Sequence, residues 1–280
     1  MSWRALYPFA SHFLGPQHYV DEGEGSPVLC VHGNPTWSFM WREVVLALRG
    51  SHRVVAPDHV GCGLSEKPPG WTYRLRDHID NLERLVLHLD LRDVTLVVHD
   101  WGGAIGMGLA GRHPDRVARI AVLNTAAFPS RHIPLRIAAC RVPGFGALAI
   151  RGLNGFAGAA VHMATERGLD PDVKAGYLAP YDSWANRIAT LRFVQDIPMS
   201  DDHPSMATLK EVEAGLARLA DRPMLIAWGE RDWCFTPTFR AEWERRFPRA
   251  RVVKFEDAGH YVVEDARERM VPLLAEFAGV

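Results

Sequence analysis

The chain is poor in cysteine, has no long apolar run and carries almost no net charge. Cys30, Cys62, Cys140 and Cys234 are its only cysteines in 280 residues, and none forms a CxxC or other metal-ligand spacing. That pattern argues against a disulfide framework or a cysteine-based metal site, and reads as reduced thiols in a cytoplasmic protein, with Cys30 inside a buried strand. No stretch reaches the ~20 apolar residues that span a bilayer, so no integral membrane segment is expected. The opening MSWRALYPFASHFLG lacks a basic region followed by an apolar core, so no secretory signal is expected either. The 32 basic residues nearly balance the 33 acidic ones, leaving a formal charge of −1. No nucleic-acid partner is implied, and no polybasic run addresses an anionic membrane. Internal repeats and low-complexity tracts are also absent. With 48% hydrophobic and 23% charged residues, what remains is a globular chain long enough for one large α/β domain with an inserted lid.

Apolar runs at 27–31, 52–56, 94–98, 119–123, 223–228 and 251–255 have the length and flanks of buried strands. Helical periodicity fills 38–48, 75–89, 102–112, 238–247 and 264–277. Strands alternating with helices predict an α/β fold: a mostly parallel central sheet covered by helices on both faces. Between about Phe128 and Asp221 the alternation stops, and Gly, Ala, Arg and Pro dominate. An insertion of that length predicts a helical cap, residues 128–221, over a core of residues 1–127 and 222–280. The cap would cover the C-terminal edge of the sheet, where ligands of such folds bind. Its apolar content, including Ile133, Ile137, Phe145, Phe156 and Met163, suits both packing on the core and an apolar small-molecule substrate.

Asp100, in Val97-Val98-His99-Asp100-Trp101-Gly102-Gly103, follows a strand and precedes a helix opening with two glycines. This is the strand–turn–helix setting of a nucleophile elbow, although Val98 stands where serine enzymes usually have glycine. An aspartate at such a junction can also simply cap the helix. A carboxylate nucleophile differs from a serine in what it can release: on saturated carbon it forms an ester that can be cleaved, whereas serine forms a stable ether. Asp100 therefore points to substrates that alkylate it, namely halides, epoxides or strained lactones.

Its partners occur in the order nucleophile, acid, histidine. Asp232, in Trp228-Gly229-Glu230-Arg231-Asp232, follows one strand, and His260, in Ala258-Gly259-His260-Tyr261, follows the last. His260 is the candidate base, and Asp232 the group that fixes its tautomer. Asn124-Thr125-Ala126, after the 119–123 strand, offers no competing carboxylate. In His32-Gly33-Asn34-Pro35, a backbone N–H is placed to form an oxyanion site with that of residue 101. The Asn34 amide and the Trp101 indole add neutral donors suited to a departing halide or carboxylate oxygen. Asp58-His59-Val60-Gly61-Cys62-Gly63-Leu64-Ser65 reads as a tight structural turn, since it lacks the Lys-Ser/Thr ending of a phosphate loop. No cofactor or metal is called for.

HGNPTWS at 32–38, DHVGCGLS at 58–65, VVHDWGG at 97–103, WGERD at 228–232 and AGHYVVED at 258–265 together resemble the haloalkane dehalogenases of the α/β-hydrolase superfamily. The likeness is to the branch with an Asp-His-Asp triad and an Asn-Trp pair. It implies the roles above for Asp100, His260, Asp232, Asn34 and Trp101. LNTAAF at 123–128 and the stretch from Tyr177 to Pro198 resemble one offshoot, the β-lactone decarboxylases of bacterial long-chain olefin biosynthesis. That resemblance implies conversion of a cis-3,4-dialkyl oxetan-2-one to an alkene and carbon dioxide, and a complex with other olefin-biosynthesis enzymes. Haloalkane hydrolysis through an alkyl-Asp100 ester is the alternative.

Two further enzymes use an aspartate elbow. Epoxide hydrolases need cap tyrosines as donors, for which Tyr177 and Tyr181 are candidates, but place an aromatic residue where Asn34 stands. Haloacetate dehalogenases put arginine where Trp101 stands. A ligand receptor on the same fold, retaining the site without turnover, is the non-enzymatic alternative.

Overall fold

A computed structural model describes residues 2–279. Eight strands form one sheet in the order β1-β2-β4-β3-β5-β6-β7-β8. They are β1 (His12–Leu14), β2 (Gln17–Glu22), β3 (Pro27–Val31), β4 (Arg53–Pro57), β5 (Val94–Asp100), β6 (Val117–Thr125), β7 (Met224–Gly229) and β8 (Arg251–Phe255). β3 to β8 pair in parallel, while β1 and β2 add an antiparallel edge. The sequence reading has no counterpart for these first two strands. β1 is only three residues long, and β2 (QHYVDE) lacks the apolar run or clean alternation that marks a strand. Gln17 and His18 are buried there nonetheless; His18 Nδ1 lies 2.8 Å from Asp58 Oδ2.

The parallel strands are apolar at nearly every position because both faces are covered. Leu29, Val31, Val55, Leu96 and Val98 face one core, and Val28, Cys30, Val54, Ala56 and Val97 the other. Helix α1 (Arg42–Leu48) follows β3, and α2 (Leu75–His88) precedes β5. Helix α3 (Trp101–Arg112) leaves β5 directly and is buried over most of its length. Its small residues allow close approach: a Cβ on Gly111 would lie 3.1 Å from the Gly215 Cα. Gly106 likewise leaves room for the Val98 side chain. That explains how a bulky residue is accommodated two places before Asp100.

Among the described residues, only helices and loops lie between β6 and β7: α4 (Leu135–Cys140), a π-helical turn (Ala147–Gly152), α5 (Ala157–Met163), α6 (Pro171–Leu178), α7 (Ile188–Gln195) and α8 (Met206–Gly215). Ile137 of α4 and Ile150 of the π turn pack on Leu191 and Val194 of α7. Helix α8 is different in packing along α3, with Leu209 and Val212 in the main core, which Ile188, Ala189 and Phe193 of α7 also reach from the cap. We therefore propose a cap of residues 128–205, shorter at its end than the 128–221 read from composition. Helices α9 (Pro237–Arg246), α10 (Val262–Asp265) and α11 (Arg267–Ala278) complete the chain. No helix among the described residues is long and apolar enough to cross a membrane.

Candidate active site

The five residues singled out in the sequence meet above the C-terminal ends of β3, β5 and β7 and the loop after β8. Asn34 follows β3, Asp100 ends β5, Trp101 opens α3, Asp232 follows β7 and His260 follows β8. Asp100 has φ 52° and ψ −128°, a left-handed strained backbone that a non-glycine residue holds at a cost of about 1–3 kcal/mol. Its carboxylate makes no capping bond to α3. It sits instead against Gly33, where any side chain would overlap the carboxylate. Asp100 Oδ1 accepts from the Asn34 backbone N–H at 2.6 Å, and the adjacent Trp101 backbone N–H also favours the ionised carboxylate. Oδ2 faces His260 Nε2 at 3.6 Å. That distance is beyond a hydrogen bond, so the second oxygen keeps a free lone pair.

His260 Nδ1 lies 2.8 Å from Asp232 Oδ2. The carboxylate accepts the Nδ1 proton and leaves Nε2 as the basic nitrogen. Asp232 is itself pinned: Cys234 N–H donates to Oδ1 at 2.6 Å, and Asn124 Nδ2 donates to Oδ2 at 3.0 Å. Asn124, at φ 38°, also donates to the Gly229 carbonyl and accepts from the Gly229 N–H. It thus holds the acid to the end of β7. The Thr125 hydroxyl donates to the Asp100 carbonyl, fixing the elbow to β6.

The charges follow from burial and partners. Burial pushes the Asp100 carboxyl up; His260 and the backbone donors of Asn34 and Trp101 only partly reverse this. Burial also works against ionised Asp232, but His260 and the N–H groups of Cys234 and Phe235 outweigh it and hold the carboxyl below its usual range. For His260 burial opposes the cation, yet Asp232 and Asp100 overcome it and raise the imidazole. His99, whose Nε2 donates to the His260 carbonyl at 2.8 Å, is held neutral: burial beside His260 lowers it to about 3.

These groups close one end of a cavity of about 420 Å³ between sheet and cap. Its walls are largely hydrocarbon, among them Phe128, Ile137, Phe156, Val194, Ile197 and Phe239. The Asn34 amide lines it and gives one N–H to the Thr190 carbonyl of α7 at 3.3 Å. The half-buried Trp101 indole leans on Phe193 at 5.2 Å, and its N–H has no partner among the described residues. Asn34 thus also ties core to cap. Tyr177 and Tyr181 do not line the cavity. Tyr177 donates to Glu264 at 2.6 Å and Tyr181 to the Thr36 carbonyl at 3.3 Å, so neither is placed to donate to an epoxide.

Asn124, Thr125 and His99 escaped the sequence reading as positioning groups. In the sequence Asn124 stands out only as the absence of a carboxylate after the 119–123 strand. Asp265, the last residue of AGHYVVED, is another. Its buried carboxylate accepts from Gly259, Glu166 and Arg167 N–H groups at 2.7 to 3.1 Å, binding the histidine loop to the end of the α5 segment. The DHVGCGLS turn is structural, as read: Asp58 accepts from Ser38 N–H at 2.7 Å and Leu64 N–H at 2.8 Å.

The same architecture recurs in known proteins. A cis-3-alkyl-4-alkyloxetan-2-one decarboxylase of Shewanella oneidensis is 43% identical, over 97% of this chain and 89% of its own. One from Xanthomonas campestris pv. campestris is also 43% identical, over 92% of this chain and 91% of its own. Haloalkane dehalogenase 2 of Mycobacterium bovis is 36% identical, over 98% and 96%. Among solved structures, haloalkane dehalogenase DbeA from Bradyrhizobium elkani superposes with a TM-score of 0.87 at 28% identity, covering 96% of this chain and 97% of its own. The model of the alpha/beta hydrolase fold family matches residues 26–266, which include all five candidate residues and the elements that carry them. By fold, chain order and kinship, this chain belongs to the alpha/beta hydrolase fold family, among its haloalkane dehalogenase-like members.

Proposed function

We propose that the protein is a β-lactone decarboxylase that converts a cis-3,4-dialkyl oxetan-2-one to an alkene and carbon dioxide, with Asp100 as nucleophile. The observation that carries this is the pairing of a half-restrained carboxylate with an apolar cavity. Asp100 Oδ1 is held by the Asn34 backbone N–H, while Oδ2 looks toward His260 and the cavity. Kinship favours the lactone over the halide: the two lactone decarboxylases are 43% identical and haloalkane dehalogenase 2 is 36% identical.

In this reading Oδ2 attacks the ring carbon that bears the ring oxygen. The carbon–oxygen bond breaks, and the freed carboxylate oxygen meets the Asn34 and Trp101 donors. The bond from the neighbouring carbon to the carboxylate then breaks as carbon dioxide leaves. Its electron pair forms the double bond and expels Asp100. No water is consumed. His260, held by Asp232, balances the charge of the two carboxylates in the pocket, and Asn124 keeps Asp232 in place. Attack at the ring carbonyl is the other route open to the same groups.

A second reading is haloalkane hydrolysis, supported by the unpartnered Trp101 N–H beside Asp100 and by the likeness to haloalkane dehalogenases. Here halide departs toward Asn34 and Trp101, and water activated by His260 Nε2 cleaves the alkyl ester. Offering a cis-dialkyl β-lactone and a bromoalkane of similar length separates the two. Rapid alkene formation with slow bromide release supports the decarboxylase; the reverse order overturns it. The lactone reading also implies a complex with the enzymes that make the lactone, and a cytoplasmic site of action.

A further inference from the structure

Eleven large hydrophobic side chains are exposed among the described residues, and seven of them lie in the cap. Five fall within nineteen residues: Leu135, Val142, Phe145, Leu148 and Leu153, with Leu135 at 89% and Leu153 at 75% exposure. Scattered exposed hydrophobics are ordinary, but a concentration on one small unit marks a contact surface. These residues belong to α4, the π-helical turn and the loops beside them, a pair that buries Ile137 and Ile150 against α7 and leaves its other side uncovered.

The charge of this unit has one sign. Residues 128–165 contain Arg131, Arg136, Arg141 and Arg151 and no aspartate or glutamate. Among the described residues none of the four forms an ion pair within 4.0 Å. Asp201 lies near Arg131, but its carboxylate is bonded to Lys210 at 2.7 Å. Arg151 lies over the exposed Trp184 ring at 4.6 Å, a cation and an indole together at the rim. No run of basic residues announces this in the sequence, because the arginines are five to ten residues apart. The same helix has a second role: Ile133, Pro134, Arg136, Ile137 and Cys140 line the cavity. Patch and cavity wall are therefore two sides of α4.

We propose that this face docks on an anionic lipid bilayer. The five apolar side chains enter the interface and Arg131, Arg141 and Arg151 meet phosphate headgroups, as amphipathic surfaces do on such membranes, while Arg136 stays on the cavity side over the Trp233 ring. An apolar ligand then passes between bilayer and cavity beside α4 without crossing water. Self-association through the patch would bring arginines against arginines, which a phosphate surface does not. The inference rests on the proposed function only for the apolarity of the ligand.

Flotation of the full chain with vesicles tests it. The protein is expected to float with phosphatidylglycerol–phosphatidylcholine vesicles and to release as salt rises. The double variant Leu135→Glu/Leu153→Glu should lose at least about tenfold in vesicle affinity, and Arg141→Gln/Arg151→Gln several-fold on anionic vesicles alone. Neither pair lines the cavity, so turnover of a short-chain, water-soluble substrate is expected to hold in both. Failure of the wild-type protein to float overturns the proposal, as does equal flotation of the Leu variant. A wild-type oligomer that the Leu variant dissolves, without vesicle binding, overturns it in favour of a second copy. Loss of turnover in the wild-type chain would count against the proposed function, not against this surface.

Discussion

Asp100 is set apart from an ordinary buried carboxylate by how unevenly its oxygens are treated. One is held by the Asn34 backbone N–H and the other is left beside His260. Replacing it with alanine is expected to abolish product formation, a loss of about 10⁴-fold or more, with the fold retained by circular dichroism. A ligand receptor on this fold would instead show no turnover in the wild-type protein. Asn124 makes a subtler case. It bonds the oxygen of Asp232 that also faces His260, so Asn124→Ala removes one hydrogen bond to a charged group, worth about 1.5–3 kcal/mol. The expected result is a kcat lower by about ten- to a hundredfold with KM nearly unchanged. A merely structural role would lower the melting temperature and leave kcat alone.

His260 gives a pH dependence that differs between the two chemistries. Because Asp232 and Asp100 lift its pKa above the ordinary 6.5, a hydrolytic step that needs neutral Nε2 loses rate as pH falls through that raised value. Bromide-releasing turnover should therefore decline on the acid side with a midpoint above 6.5. Alkene formation, in which the His260 cation balances the carboxylates, should escape this acid-side loss and decline instead as pH rises through the same value. Parallel kcat profiles on lactone and bromoalkane check both arms.

At the scale of elements, the sheet and its helices were legible because each is a long apolar or amphipathic segment with clear punctuation. The parallel strands could be read from 27–31 and 94–98 since two-sided burial leaves runs with almost no polar interruption, and the edge strand 251–255 from its Val252-Val253 and Phe255 despite exposed Arg251 and Lys254. β1 and β2 were not legible, because β1 is three residues long and β2 buries polar Gln17 and His18, the latter paired with Asp58 forty residues away, which no local pattern displays. The proposed end of the cap at residue 205 has no local signal either: α8 resembles the cap helices in composition, and its packing along α3 is what argues for placing it with the core. Positioning groups such as Asn124 and Asp265 act across more than ninety residues of chain, so spacing could not announce them.

Helix α2 also carries a liability. His78 is fully buried, stacks on Phe193 at 4.4 Å, and is lowered to about 3 by burial and nearby His32. A histidine whose folded pKa is depressed favours the folded state fully above 6.5 and progressively less as pH falls toward 3, because the unfolded chain takes up the proton first. Between pH 7 and pH 5 this costs about 2 kcal/mol per such group. His78→Leu should flatten the fall in unfolding free energy over that interval by about this amount, measured by urea denaturation at both pH values. An unchanged slope would show that His78 does not govern it.

The whole molecule couples a rigid sheet edge, which fixes the reacting groups, to a cap that supplies apolar volume. The residues of the candidate triad and donor loop could be read from sequence because their motifs sit at strand ends, where the parallel fold must bring them together. The cavity could not be measured that way: apolar cap residues pack inward or line space with the same composition. Ala160, on the α5 wall, offers a direct test of that volume. Ala160→Phe fills part of the cavity and is expected to lower kcat/KM for long-chain substrates by about tenfold or more while sparing short ones. Equal loss for both lengths would mean that the alkyl chains lie elsewhere.

What most separates this protein's chemistry from hydrolysis is how Asp100 is set free. Single turnovers on a cis-dialkyl β-lactone in oxygen-18 water, followed by mass analysis of the peptide containing Asp100, report this directly. Release by loss of carbon dioxide predicts alkene as product and an unlabelled Asp100. Oxygen-18 in its carboxylate, with alcohol in place of alkene, would contradict the decarboxylase account.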